Sequence, residues 1–116
     1  MSRKTQIKKQ STLKPISVKS LRTVPFEKGF HFYASVGNYT GITATSLSEF
    51  ALKLQIVPTE SITFHFNRKD FQNWIKYTLK DAALAERISN AKREQSAEDL
   101  RKEILTIIEA RTARSF

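Results

Sequence analysis

Two histidines are the main candidates for catalysis in this 116-residue chain, because it contains no cysteine. His31 and His65 each lie between two phenylalanines. Neither falls within a spacing typical of a metalloprotease, a nucleotide-binding loop or a serine hydrolase. A zinc site formed by both histidines and Asp70 would offer too few ligands. The sequence therefore predicts no catalytic residue, no metal and no cofactor, which indicates a protein that is not an enzyme.

The segment SITFHFNRKDFQNWI holds the most distinctive group of candidate site residues outside the N-terminal region: His65, Arg68, Asp70 and Trp74. One interpretation of this group is a binding pocket. The other, which we favour, is a structural role in which Asp70 caps the following helix and Trp74 fills the core. His65 or Arg68 would then pair with a carboxylate. Replacing Asp70 with alanine would cost about 1 kcal/mol as a lost helix cap.

Basic side chains dominate residues 1–25, here called the basic arm. The basic arm carries seven of the 20 cations in the chain and none of its 11 acids. The remaining 13 cations and 11 acids leave residues 26–116 with a net charge of only +2. A basic segment beside a nearly neutral body is typical of proteins that bind nucleic acids or anionic membranes. The predicted phosphate contacts are Arg3, Lys4, Lys8, Lys9, Lys14, Lys19 and Arg22.

Four interpretations of the basic arm are open: a transit peptide, a free tail, a lipid-binding segment and a phosphate-binding segment. Pro15 and Pro25 favour extended backbone. The arm shows no amphipathic helix, which disfavours the transit peptide and the lipid-binding segment. An extended basic segment that follows phosphates is favoured, and it is typical of small ribosomal proteins. If all seven cations neutralised phosphates, log K against log salt would have a slope of about −5 on single strands.

A second cationic patch is predicted from the spacing of Lys69, Asn73, Lys76 and Lys80. Steps of four, three and four residues place these side chains on one face of a helix that begins near Asp70. The patch is interpreted either as an ordinary solvated helix surface or as an extension of the phosphate-binding surface of the basic arm.

The segment FEKGFHFYASVGNYTG combines aromatic residues with three glycines. Alternation at 30–34 predicts a short strand, and GNYTG has the composition of a turn. The aromatic side chains are interpreted mainly as core, with a base-stacking platform or a protein interface as alternatives. These side chains are Phe30, Phe32, Tyr33 and Tyr39.

The elements that must position these residues are mostly short helices. Helix starts are indicated by a capping box at Ser46 and by capping residues at Asp70, Asp81 and Ser96. Residues 61–67 fit either a strand or a helical turn, and flanking helices favour the helix. The predicted fold is mainly α, with four or five short helices and a short N-terminal β element. The predicted organisation is an extended basic arm over residues 1–25 and a small helical domain over residues 26–116.

Three segments resemble a small uncharacterised domain family of archaea and some bacteria: FHFYASVGNYTGITATSLSEF, SITFHFNRKDFQNWI and DAALAERI. The resemblance runs from about residue 30 to residue 111 and excludes the basic arm. It implies a small domain that occurs alone or attached to larger enzymes, including carbohydrate-processing ones. It implies no activity for particular residues. Members often have glycine where this chain has Lys69.

The favoured function is a non-enzymatic, cytoplasmic RNA-associated protein, with ribosomal RNA and neighbouring ribosomal proteins as partners. The alternative is a protein-interaction or regulatory module that binds a protein such as an enzyme of carbohydrate metabolism. No apolar run is long enough to span a membrane, and the arm lacks the apolar segment of a secretory signal. Neither a membrane partner nor a small-molecule substrate is predicted.

Overall fold

The computed structural model describes residues 22–113, and six of the seven arm cations therefore lie outside the described residues. A single 3₁₀ turn precedes an antiparallel hairpin, and five helices follow. This confirms, for the described residues, a mainly α fold with a small β element at its N-terminal side. The elements are the 3₁₀ turn Phe26–Lys28, β1 (Phe30–Ser35), β2 (Asn38–Ala44), α1 (Leu47–Leu54), α2 (Thr59–Asn67), α3 (Asp70–Asn73) with a π-helical turn (Trp74–Thr78), α4 (Ala82–Ser89) and α5 (Ala97–Ala113).

The hairpin corrects the interpretation of GNYTG as a turn. Only the start of that segment turns the chain, where Gly37 has a φ of 74°, and β2 begins at Asn38. Gly41 also has a positive φ of 85°, but it lies within β2. The strand register shifts between Phe32 and Tyr33, so the second glycine marks a bulge rather than a turn. Glycine relieves backbone strain at both places because it has no Cβ.

An aromatic cluster forms the centre of the core. Phe30 and Phe32 point inward from β1 and are at most 5% exposed. The Phe30 ring lies within 5.7 Å of the rings of Phe50, Phe71 and Trp74, measured between centroids. This confirms the interpretation of Phe30 and Phe32 as core, whereas the same interpretation is wrong for Tyr39, which is 41% exposed. The burial of Phe30 and Phe32 also rules out a base-stacking platform built on these two rings, since a platform needs exposed faces.

Three of the predicted helix starts are confirmed. The Ser46 hydroxyl accepts from the Glu49 amide at 3.2 Å, and the Ser96 hydroxyl accepts from the Asp99 amide at 3.0 Å. The Asp81 carboxylate accepts from the amide of Leu84 at 3.2 Å. Each cap satisfies an amide that has no partner within its own helix.

Residues 61–67 form the main part of α2, as favoured from the sequence. Ile62, His65 and Phe66 are buried on one side of this helix, whereas Phe64 is only half-buried. The helical spacing therefore describes the burial better than strand alternation, which would have buried Phe64 together with Ile62 and Phe66.

The helix predicted after Asp70 is not continuous. α3 has four residues and is followed by the π-helical turn, in which the Leu79 amide donates to the Trp74 carbonyl at 3.1 Å. Lys69 and Lys80 flank this unit with positive φ values of 65° and 64°. Family members with glycine in place of Lys69, as the resemblance leads us to expect, would adopt this left-handed conformation without the strain that a lysine incurs.

Two arginines of α5 connect distant parts of the fold. Arg101 is 8% exposed, and its Nη1 donates to the carbonyls of Leu54 and Val57 at 2.7 and 3.0 Å. It thereby satisfies carbonyls at and just beyond the end of α1. Arg111 donates through Nε and Nη2 to the two carboxylate oxygens of Asp81, at 3.1 and 2.8 Å.

None of the helices within residues 22–113 combines the length and apolar character needed to cross a membrane.

Candidate functional site

The last cation of the basic arm lies in a groove on the surface of the body. Arg22 Nη1 donates to the Thr78 carbonyl at 3.4 Å, and the Val24 amide donates to the Thr45 carbonyl at 2.9 Å. The groove encloses about 550 Å³ between the segment that precedes β1 and the end of the π-helical turn. We call it the basic groove; its charged and aromatic side chains are Arg22, Glu27, Lys28, Trp74, Tyr77 and Lys80.

An exposed aromatic ring lies among these cations. Tyr77 is 61% exposed, and Lys76 Nζ lies 5.1 Å from the centre of its ring. Lys28 and Lys80 are exposed in the same groove, where Glu27 is the single acid among the described lining residues. An exposed ring beside several cations is the combination found in proteins that bind single-stranded nucleic acids.

The predicted lysine patch is divided between two surfaces. Lys80 lines the basic groove, whereas Lys69 and Lys76 line a smaller groove between α3 and α4. The prediction of one continuous face is therefore wrong, because the π-helical turn changes the helical phase and Lys80 lies beyond it. Lys76 still reaches the basic groove through its contact with Tyr77.

Sequence reasoning missed Lys28 and Tyr77 as members of this groove. Tyr77 follows Lys76 directly and precedes Lys80 by three residues, so an aromatic ring flanked by lysines was a visible local signal. Lys28 gave no comparable signal, because its side chain meets the groove only through the packing of the 3₁₀ turn against Trp74. The Trp74 indole donates to the carbonyl of Lys28 at 2.9 Å.

The second group of interest surrounds His65. The Tyr33 amide donates to Nε2 of His65 at 2.8 Å, and Nδ1 of His65 lies 2.8 Å from Oδ2 of Asp70. A backbone amide can only donate, so Nε2 must be unprotonated and Nδ1 must carry the hydrogen that Asp70 accepts. Arg68 donates through Nε to the same Asp70 oxygen at 3.1 Å.

The neutral form of His65 is favoured by its surroundings. The side chain is buried, and burial lowers the pKa of His65 below its usual value of 6.5. The hydrogen bond and the charge of Asp70 act in the opposite direction but are smaller, and the charge of Arg68 lowers the pKa further. The neutral His65 side chain of α2 therefore links β1 and the start of α3 through its hydrogen bonds with the Tyr33 amide and Asp70.

This geometry confirms one part of the structural interpretation and corrects another. His65 and Arg68 both pair with Asp70, and Trp74 is buried, as expected. Asp70 does not cap α3, because its carboxylate bonds backward to side chains of α2 and the loop, and the capping position is occupied by Lys69. The loss of stability predicted for Asp70→Ala from a missing helix cap therefore has no structural basis. The substitution should instead remove the contacts of Asp70 with His65 and Arg68.

Stability should depend on pH through His65. The pKa of His65 is lowered in the folded state, so the unfolded chain binds the additional proton and acid favours unfolding. The stabilising contribution is present above pH 6.5 and is lost as the pH falls below that value. In urea unfolding between about pH 7 and about pH 5, wild type should lose more stability than His65→Gln.

The matched control is His31→Gln, which leaves His65 and its partners Tyr33 and Asp70 in place. His31 bonds instead through Nδ1 to the Thr43 hydroxyl at 2.8 Å. This variant should retain the wild-type pH dependence. An identical pH dependence of wild type and His65→Gln would show that His65 does not titrate as described.

An open cavity of about 540 Å³ adjoins the His65 group. We call it the aromatic cavity; it lies between β1, α2 and α3, and its lining includes Phe30, Tyr33, Phe64, Arg68, Asp70 and Trp74. The cavity lining contains all four residues of the pocket interpretation: His65, Arg68, Asp70 and Trp74. The described residues contain no cluster of three or more histidines or acids that could hold a metal ion.

The fold and these surfaces define a small, mainly α-helical domain that begins with a β-hairpin and carries a basic groove beside an aromatic cavity. The chain belongs to the family described as "Family of unknown function (DUF5752)", which matches residues 27–115. The match confirms the resemblance to a small uncharacterised domain family; the archaeal distribution stays a prediction. Comparisons with curated proteins and with solved structures gave no match.

Proposed function

We propose that the protein is a non-enzymatic RNA-associated protein, with ribosomal RNA as the favoured target. The observation that carries this proposal is the basic groove. Arg22, the last cation of the basic arm, lies in the same groove as Lys80 and the exposed Tyr77. Arg22 therefore adds the last positive charge of the arm to those of Lys28 and Lys80 on the surface of the body.

The two regions would make different contributions to binding. The arm carries most of the excess charge of the chain, so it would supply the salt-dependent affinity for phosphates. The groove would add a fixed point of contact, in which a base stacks on Tyr77 while neighbouring cations bind the adjacent phosphates. Such contacts position a protein on a nucleic acid without reading its sequence.

RNA is favoured over DNA by the shape of the described cationic surface. Lys28 and Lys80 flank a concave groove, and Lys80 lies in a loop between helices. A reader of the DNA major groove would instead present a row of side chains along one exposed helix. A single ring beside cations suits an unpaired base in an RNA loop.

The groove contribution is tested by replacing Tyr77 with leucine. Leucine retains an apolar side chain but cannot stack with a base, so affinity for a single-stranded RNA oligonucleotide should fall by about tenfold. Tyr39→Leu is the matched control, since Tyr39 is another exposed tyrosine on the hairpin outside the groove. Fluorescence anisotropy at fixed, low salt gives both affinities.

Equal affinities for wild type and Tyr77→Leu would remove the groove from the proposal. If the wild-type protein bound no RNA even at low salt, the whole proposal would fail. The alternative of a protein-interaction or regulatory module would then gain support, and the basic arm would be incidental to function.

A further inference from the structure

The aromatic cavity offers a second binding site with a different chemistry from the basic groove. Its volume of about 540 Å³ lies within the range typical of small-molecule sites. Four of its eleven lining residues are Phe, Tyr or Trp, and they include the half-buried side chains of Tyr33 and Phe64 together with the buried Trp74. An apolar group of a ligand would be shielded from water against these rings.

Two oppositely charged groups lie side by side in this cavity. Arg68 donates to Asp70 only through Nε, and within residues 22–113 its two terminal nitrogens have no hydrogen-bond partner. Asp70 uses Oδ2 for both His65 and Arg68, which leaves Oδ1 without a hydrogen-bond partner among the described residues. The Arg68 guanidinium also stacks over the Phe64 ring, at 4.9 Å from its centre.

These free groups define the charge that a ligand should carry. The charges of Arg68 and Asp70 cancel, and His65 is held in its neutral form by the Tyr33 amide. A purely anionic or cationic ligand would be attracted to one of the two charged groups and repelled by the other. A ligand with a carboxylate beside an ammonium would instead satisfy the terminal nitrogens of Arg68 and the free oxygen of Asp70 together.

We propose that the aromatic cavity binds a free α-amino acid with a large apolar side chain. The ligand carboxylate accepts hydrogen bonds from the terminal nitrogens of Arg68, and its ammonium donates to Oδ1 of Asp70. The side chain packs against Tyr33, Phe64 and Trp74. His65 is a positioning residue, because it fixes Asp70 without contacting the ligand. This site is independent of RNA binding by the basic groove, with which it shares only part of its wall.

Trp74 provides a direct readout, because it is the single tryptophan of the chain and lines the cavity. Titration with L-phenylalanine should change Trp74 fluorescence to saturation, and calorimetry should give the same affinity. Phenethylamine, which lacks the carboxylate, and 3-phenylpropionate, which lacks the ammonium, should each bind at least about tenfold more weakly. If L-phenylalanine and L-leucine gave neither signal up to their solubility limits, or either analogue bound as tightly as L-phenylalanine, the proposal would be overturned.

Arg68→Met tests the contact with the ligand carboxylate. Methionine retains an apolar stem over Phe64, and Arg68 is exposed, so the fold should be preserved. Affinity for L-phenylalanine should fall at least about tenfold, whereas affinity for phenethylamine should not fall. Arg87→Met is the matched control, because Arg87 is an exposed arginine of α4 outside the cavity. Equal weakening of both ligands by Arg68→Met would contradict the assigned contact.

Discussion

Replacing Asp81 with alanine should lower the free energy of unfolding by about 3 kcal/mol, the largest stability effect we expect from a single substitution. The Asp81 side chain is 2% exposed and accepts two hydrogen bonds from Arg111. It also caps α4 through the Leu84 amide. The substitution leaves a partly buried guanidinium without its carboxylate and removes the cap, and both losses destabilise the folded state.

Urea unfolding followed by circular dichroism measures this effect. Asp99→Ala is the matched control, since Asp99 is an exposed acid in the first turn of α5 and should contribute only about 0.5 kcal/mol. Arg111→Met should also be strongly destabilising, because it leaves the Asp81 carboxylate buried without this partner. If Asp81→Ala cost no more than Asp99→Ala, the ion pair with Arg111 would not stabilise the fold.

Neutralising four lysines of the basic arm should produce the largest effect on function. Each phosphate contact on a single strand contributes about −0.7 to the slope of log K against log salt. Glutamine at the four positions should therefore flatten the slope for single-stranded RNA by about 3 and weaken binding most at low salt. The positions are Lys8, Lys9, Lys14 and Lys19.

The control carries the same change in charge at a different place. Four cations on α4, on α5 and in the loop between them are replaced with glutamine, and they lie outside both the arm and the basic groove. If binding is local to the arm, this control should retain nearly the full slope. Equal flattening in the two variants would mean that only net charge matters. The control positions are Arg87, Lys92, Arg93 and Lys102.

Features that depend on neighbouring residues could be predicted from the sequence. The caps at Ser46, Asp81 and Ser96 each join a side chain to an amide three residues later. The alternation that placed Phe30 and Phe32 in the core is equally local. Each of these features depends on residues that are close together in the sequence, so contacts with distant parts of the fold have little influence on it.

Asp70 shows where such local reasoning fails. Asp70 lies at the start of α3, where a carboxylate can cap a helix. Its carboxylate instead accepts hydrogen bonds from the buried His65 and, with charge assistance, from Arg68. The π-helical turn is a second example. It shifts the helical phase after Asn73, and the regular spacing of Lys69, Lys76 and Lys80 contains no sign of the shift.

The partners of Arg101 and Arg111 also could not be predicted from the sequence. Arg101 bonds to carbonyls 44 and 47 residues away, and Arg111 bonds to an acid 30 residues away. A partial signal existed, because both arginines continue the apolar spacing of Ile104 and Ile108 on α5. A cation within an apolar stripe indicates a buried partner, although the sequence does not identify it.

Sedimentation of native lysate through sucrose gradients tests the central claim of RNA association most directly. At low salt the full-length protein should co-sediment with a ribosomal subunit, and high salt should move it to the top of the gradient. A variant that lacks residues 1–21 retains all residues of the described fold, and it should remain at the top at both salt concentrations. A full-length protein that stays at the top at low salt, with no RNA bound, would contradict the proposed function.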